Sequence, residues 1–194
     1  MIGGPAKAKA DRRIRRTTDA LVTALIDLVH AKRYDAITIQ DLLDHANVGR
    51  STFYSHYRGK DDFLLRSFER MLASLDGGID RDSSTIVRIA PVRELFAHFG
   101  QMRGFIHSLE RAHRLDRVLQ VGATQLSVTI ARRRAALPDA RVPDGVPPAA
   151  RAQALAGALF ALLRWWMDQD KPESPERMDA MYHAICLGAP RAAR

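Results

Sequence analysis

A single cysteine, Cys186, is present in the whole chain. No intrachain disulfide can form, and that cysteine usage suits a reducing interior. Strand signals are also missing: no alternating apolar–polar run lies between hairpin turns, and no segment repeats. The most apolar stretch, Ala154 to Met167, has Arg164 as its one charge but spans only 14 residues, too few to cross a bilayer. Lys7 to Arg16 carry too much charge for the apolar centre of a secretory signal, so a cytoplasmic protein with no membrane partner is expected. No nucleophile–base–acid spacing and no phosphate-cradling glycine loop is found. His107, Glu110 and His113 stand three apart, but Arg111 and Arg114 beside them would repel a cation, and ordinary surface polarity is the better reading. Enzyme chemistry, a cofactor and a metal are therefore not expected.

What the chain does have is positive charge and helix formers. Its 194 residues carry a net +8 with a pI near 10.2, which favours a polyanionic partner. The charge is uneven: residues 1–60 hold 11 Lys/Arg against 6 Asp/Glu. Ala, Leu and Arg dominate, so an all-α fold of about nine helices is expected.

The basic part contains the most informative stretch, Thr38 to Lys60. Ile39, Leu42, Leu43 and Ala46 recur at helical spacing. Thr38 sits at the N-cap position, with Asp41 placed to complete a capping box. Asn47 tolerates the left-handed backbone that a sharp turn needs. Beyond Val48, a second short helix starts at Arg50, with Phe53 and Tyr57 facing inward. Its other face shows Arg50, Ser51, Thr52, Tyr54, Ser55 and His56, groups suited to phosphates and base edges. A helix, a tight turn and a polar-faced second helix make a helix-turn-helix.

This segment resembles the DNA-binding signature of the TetR family of bacterial transcriptional regulators. The agreement lies at Thr38, Leu42, Ala46, Val48, Thr52, Tyr54, His56, Lys60, Phe63 and Leu64. Leu43, Asn47 and Gly49 depart from the usual pattern. The paired tryptophans Trp165 and Trp166, ahead of the Ser-Pro-Glu helix start at Ser174, are similar to the ends of many such regulators. The resemblance implies contacts to double-stranded operator DNA from Thr38, Gln40, Arg50, Ser51, Thr52, Tyr54, His56 and Lys60. Phosphates would be met by the N-terminal arm, Thr38, Tyr54 and Lys60, and base edges by Arg50, Ser51 and Thr52.

Along the chain, Met1 to Ala10 is expected to lack order, and a first helix to run from Asp11 to Lys32 with Ile14, Leu21, Leu25, Leu28 and Val29 inward. Residues 1–60 then form a three-helix DNA-binding domain and 61–80 a linking helix ending near Leu75. A Gly/Asp/Ser-rich linker at Asp76 to Ser84 leads into a ligand-sensing and dimerisation domain over 81–194. There the pattern predicts one helix from Pro91 to Leu109, two over Arg114–Val121 and Gln125–Leu137, and a proline-rich loop from Pro138 to Pro148. A helix over Ala149–Asp168, apolar on all sides, and a last one from Ser174 follow. Ligand-pocket candidates are Phe99, Met102, Phe105, Leu119 and Trp165. Ala154, Ala158, Ala161, Trp166, Met178, Met181 and Tyr182 are candidates for a homodimer interface. The function so implied is a repressor released from its operator by a small-molecule effector. A helical homodimer binding a small molecule or partner protein, without DNA regulation, is the alternative.

Overall fold

A computed structural model of the chain describes residues 5–79, 88–137 and 145–187, with side chains from Ile14 onward. Among them are α1 (Pro5–Ala31), α2 (Ile39–Ala46), α3 (Arg50–Tyr54), α4 (Lys60–Ile79), α5 (Val92–Gln101), α6 (Arg103–Arg111), α7 (Leu115–Ala135), α8 (Pro148–Met167) and α9 (Pro175–Leu187). A 3-10 turn, Tyr34–Ala36, joins α1 to α2. The described residues contain no strand and no helix long and apolar enough to cross a membrane. Among the described residues the expected all-α architecture is observed, with nine α-helices.

The chain divides into two compact units, residues 1–67 with 104–115, and residues 68–103 with 116–194. Residues 104–115, which the sequence places in the sensing domain, therefore group with the N-terminal unit. α4 continues from the first unit into the second.

In the first unit, α1 begins at Pro5, earlier than expected, so part of the stretch predicted to lack order is helical; Met1–Gly4 lie outside the described residues. Its buried face is Leu21, Ala24, Leu25 and Val29, at the spacing that a helix of 3.6 residues per turn demands. Ile14, expected on that face, is 38% exposed, whereas Thr18 is buried. The Thr18 hydroxyl lies 2.9 Å from the Tyr57 hydroxyl, so a hydrogen bond and not a methyl group fills that place. Phe53, Tyr57 and Phe63 form the aromatic centre, with Phe53–Tyr57 and Tyr57–Phe63 ring centroids 5.4 and 5.0 Å apart. Burying each ring contributes about 1.5–3 kcal/mol relative to leaving it in water. From α6, Ile106 and Leu109 are buried, and the Ser108 hydroxyl accepts the Tyr34 backbone N–H at 3.2 Å.

In the second unit several boundaries differ from the pattern-based expectation, each for a packing reason. α4 runs on through Gly77 and Gly78 to a buried Ile79. Asp76 holds that turn down by accepting from Arg133 Nε at 2.9 Å and from Arg132 at 2.6 Å; the rest of the expected linker, 80–84, lies outside the described residues. The helix expected over 91–109 is two, broken at Met102, whose N–H is shared between the His98 and Phe99 carbonyls at 3.2 Å. Gly100 and Gly104 flank the break and weaken the helix there. Conversely, α7 is one helix where two were expected. A Cβ at Gly122 would stand 2.5 Å from Phe160 Cζ and 2.7 Å from Phe68 Cε1, so glycine here serves close ring packing and ends nothing. Pro148, expected in the loop, opens α8 as its first residue. α8 buries Ala152, Ala156, Leu159, Phe160, Leu163 and Trp166 but exposes Ala154, Gly157, Ala158 and Ala161. It is thus amphipathic within one chain rather than buried on every side. On α9, Ser174 caps the start by accepting the Arg177 N–H at 3.2 Å, and Met178, Tyr182 and His183 are buried. The expected stop at Gly188 to Pro190 lies outside the described residues.

Candidate nucleic-acid interface

The reading element is built by local backbone chemistry. Thr38 caps α2: its Oγ1 accepts the Asp41 N–H at 3.0 Å, while Asp41 Oδ2 accepts the Thr38 N–H at 2.7 Å, a closed capping box. Lys32, 2.6 Å from the same carboxylate, together with Thr38 holds Asp41 well below the usual carboxylate range. At the other end Asn47 takes the left-handed conformation, φ 50°, which turns the chain so that α3 can start at Arg50. Gly49 caps α3 without a side-chain bond. Leu42 and Leu43 of α2 and Phe53 of α3 are buried, so each helix keeps one face in the core and leaves the other to solvent.

That face carries Arg50, Ser51 and Tyr54, with Ser55 in the turn that follows. Tyr54 is 45% exposed, and the Arg50 guanidinium lies 5.6 Å from its ring centroid. Arg50 also donates to Gln40 Oε1 at 3.4 Å, and Gln40 Nε2 donates to Asp44 Oδ1 at 2.8 Å. Gln40, Arg50 and Tyr54 are thus brought together. Ser51 is exposed beside them and Thr52 half-buried. Thr38 is exposed at the α2 start, its hydroxyl donating to Asp41 at 2.7 Å. His56 lies beyond the end of α3, half-buried against Tyr57, ring centroids 6.2 Å apart. The arm residues Lys7, Lys9, Arg12 and Arg13 fall outside the described side chains, whereas Arg15 and Arg16 are exposed.

Lys60 engages the protein itself: its ammonium donates to the Tyr34 and Ile37 carbonyls, each at 2.6 Å. It also lies 4.3 Å from the Tyr34 ring centroid, and burial pulls its pKa down. Within the 3-10 turn the Tyr34 carbonyl accepts the Ile37 N–H at 3.1 Å, and Lys60 adds a charged donor to that carbonyl and to the one of Ile37. Tyr34 is fixed further by its hydroxyl, which donates to Asp61 at 2.8 Å; burial, then that bond, push its ionisation upward.

The architecture has a match among known proteins. Residues 21–66 match the family model described as bacterial regulatory proteins, tetR family. That window holds the capping box, the Asn47 turn and all of α3. This N-terminal segment carries the TetR-family signature. A curated HTH-type transcriptional regulator of Bacillus subtilis (strain 168), YxbF, is 39% identical over 66 residues, which is 34% of this chain and 17% of that protein. The chain therefore matches less than a fifth of the length of that curated relative. Among solved structures, a TetR transcriptional regulator from Streptococcus agalactiae 2603V is 27% identical, with a TM-score of 0.60 over 93% of this chain and 98% of that one. The fatty acid degradation regulator FadR from Bacillus halodurans, at 16% identity, has a TM-score of 0.57 over 91% of this chain and 99% of its own. The latter likeness is one of fold.

Against this TetR-family frame, the other sequence-derived candidates scatter. Phe99 and Leu119 are buried in the second unit and Met102 is half-buried there, but Phe105 belongs to the first unit and Trp165 is 47% exposed. The five thus divide between the two units. Of the interface candidates, Ala154, Ala158 and Ala161 are exposed and Met181 half-buried. Trp166, Met178 and Tyr182 are instead core residues of the chain itself: Trp166 donates to the Glu173 carbonyl at 2.7 Å and Tyr182 to the Leu155 carbonyl at 3.0 Å. His107 and Glu110 approach to 3.6 Å, while His113 ends α6 in a left-handed conformation. No group of three such residues could hold a metal ion among the described residues. Sequence reasoning passed over Asp44, although Gln40 and Asp44 four apart on one helix was a readable signal.

Proposed function

We propose that the chain is a transcriptional repressor that reads operator DNA as a homodimer and releases it when a small-molecule effector binds the second unit. The observation that carries this is the exposed row Arg50, Ser51 and Tyr54 on a helix pinned by Asn47 and the buried Phe53, inside the segment that matches the family. Such a helix enters the major groove, where an arginine reads guanine through its O6 and N7 acceptors. Ser51, Ser55 and the N-terminal arm supply phosphate contacts, and these give most of the affinity and its salt dependence.

Pairing is supported by the exposed small-residue stripe Ala154, Gly157, Ala158 and Ala161 of α8, edged by Trp165, and by Ile185 of α9, which is 69% exposed. Small residues let a second helix approach closely, and large apolar groups left in water favour association. For coupling, α6 groups with the reader unit while α5 and α7, covalently joined to its two ends, belong to the other. An effector that prefers one arrangement of α5 and α7 then shifts α6 and the Ser108–Tyr34 bond, through differential affinity alone.

The test is selection of duplexes from a random library by the full-length protein, followed by footprinting. The expected product is an inverted repeat with half-site centres about 34–36 Å apart or a multiple of that helical turn. Recovery of no preferred sequence would contradict the reading.

A further inference from the structure

Asp44 is an acidic group on the side of the domain that the proposed function turns toward a polyanion, and it needs a physical reason. It is exposed on α2, and the Gln40 amide is what its carboxylate engages, at 2.8 Å. Gln40 in turn presents Oε1 to Arg50 at 3.4 Å, and Arg50 lies over Tyr54 at 5.6 Å. The order of charges matters. A primary amide has one donating end and one accepting end. Between a carboxylate and a guanidinium only one orientation is favourable, with NH2 toward Asp44 and the carbonyl toward Arg50. Rotating the amide by half a turn would set NH2 against the guanidinium and carbonyl against carboxylate, two repulsions at once. Asp44 thus determines what Arg50 meets.

We infer that Asp44 is a positioning residue for base discrimination: through the Gln40 amide it aims the Arg50 guanidinium, on its Tyr54 platform, at guanine. This rests on the DNA-reading function proposed above. Arg50 has several rotatable bonds and is exposed, so without the relay it samples many directions, and it reaches phosphates as readily as base edges. With one NH1 proton engaged by Gln40, the Nε and NH2 edge is left for a two-point contact such as guanine O6 and N7. A bare carboxylate acting only by repulsion would instead lower affinity for every duplex alike, since phosphate charge is independent of sequence.

The experiment compares the full-length protein with Asp44→Ala, Asp44→Asn and the double variant Asp44→Ala/Arg50→Ala. Each is titrated against a duplex selected by the parent protein and against its scrambled version. Asn keeps an acceptor for the Gln40 NH2 while it removes the charge and turns the other oxygen into an NH2 donor. The expected result is that Asp44→Ala lowers the ratio of selected to scrambled affinity roughly tenfold, the scale of one bidentate base contact, while Asp44→Asn keeps most of it. The double variant loses no more discrimination than Arg50→Ala alone. Equal behaviour of Ala and Asn would overturn the inference in favour of simple repulsion, and so would an unchanged ratio in Asp44→Ala. Those results leave the DNA-reading function standing. Failure of the parent to select any duplex would sink that function and this inference together. Circular dichroism melting of each variant separates lost discrimination from lost folding.

Discussion

The Lys60 ammonium lies 2.6 Å from the Tyr34 carbonyl oxygen and 4.3 Å from the centroid of the same residue's ring. Lys60 thus ties down the 3-10 turn that leads into the reader with two of its three ammonium donors. Lys60→Met, which keeps the stem and removes the donors, should lower stability by about 1–3 kcal/mol, because the Tyr34 and Ile37 carbonyls lose a charged donor. DNA binding should weaken with no change in its salt slope. A phosphate contact would instead lower the slope by about one unit on removal. Anisotropy titrations of parent and variant across salt concentrations check this.

Among the described glycines of the second unit, Gly122 has the closest rings beside it. Gly122→Ala should cost about 1–3 kcal/mol, despite alanine's better helix propensity, because its methyl would overlap Phe160 and Phe68. Thermal melting measures the loss. At Gly157 an added Cβ meets nothing within 4 Å of the chain, so Gly157→Ala should not destabilise an isolated chain.

Arg88 sits between Glu94 and Asp179, donating to Glu94 Oε1 at 3.0 Å and to Asp179 Oδ1 at 2.8 Å. Burial is the largest single influence on both carboxyls and pushes them upward. The bonds to Arg88, and for Asp179 the one to His183, outweigh it, so both end below the ordinary range. Carboxylates depressed in the folded state contribute stability above pH ~4–5 that is lost as the pH falls through their folded values. Arg88→Met leaves burial to act without Arg88. Its cost should be about 3–5 kcal/mol near neutral pH and shrink steadily as the carboxyls become protonated in acid. Denaturant titrations at several pH values follow this, and a pH-independent cost would exclude the pair as its source.

Ala161 is exposed on the small-residue stripe of α8. A single chain can accept Ala161→Arg, because the side chain enters solvent. A dimer built on that stripe cannot, since the charge would be buried without a partner. Light scattering should report half the parent mass, with the helical circular dichroism unchanged.

Legibility in the sequence followed how local the cause was. The α2–turn–α3 unit could be read because a cap, a left-handed turn residue and an inward aromatic act within a few residues of one another: Thr38 with Asp41, Asn47 alone, Phe53 with Tyr57. Long-range causes were invisible. Gly122 looks like a helix breaker until Phe160 and Phe68 arrive from other helices. Gly77 and Gly78 look like a linker until Arg132 and Arg133 hold Asp76. The direction of Lys60 depended on carbonyls more than twenty residues earlier, so a resemblance that gave it a phosphate could not see that two of its three donors meet Tyr34 and Ile37. In the candidate site, Arg50 and Tyr54 were visible as residue types. The chain of contacts through Gln40 to Asp44 appears only when α2 and α3 are placed in space.

The central claim is that α3 reads base sequence and does more than add positive charge. Titrating the parent and Arg50→Ala against a selected duplex and its scrambled version, at several salt concentrations, tests it most directly. The parent should bind the selected duplex more tightly at every salt concentration. Arg50→Ala should lose roughly ten- to hundredfold of that preference while its affinity for the scrambled duplex falls much less. Equal losses on both duplexes, or a preference that survives the substitution intact, would contradict it.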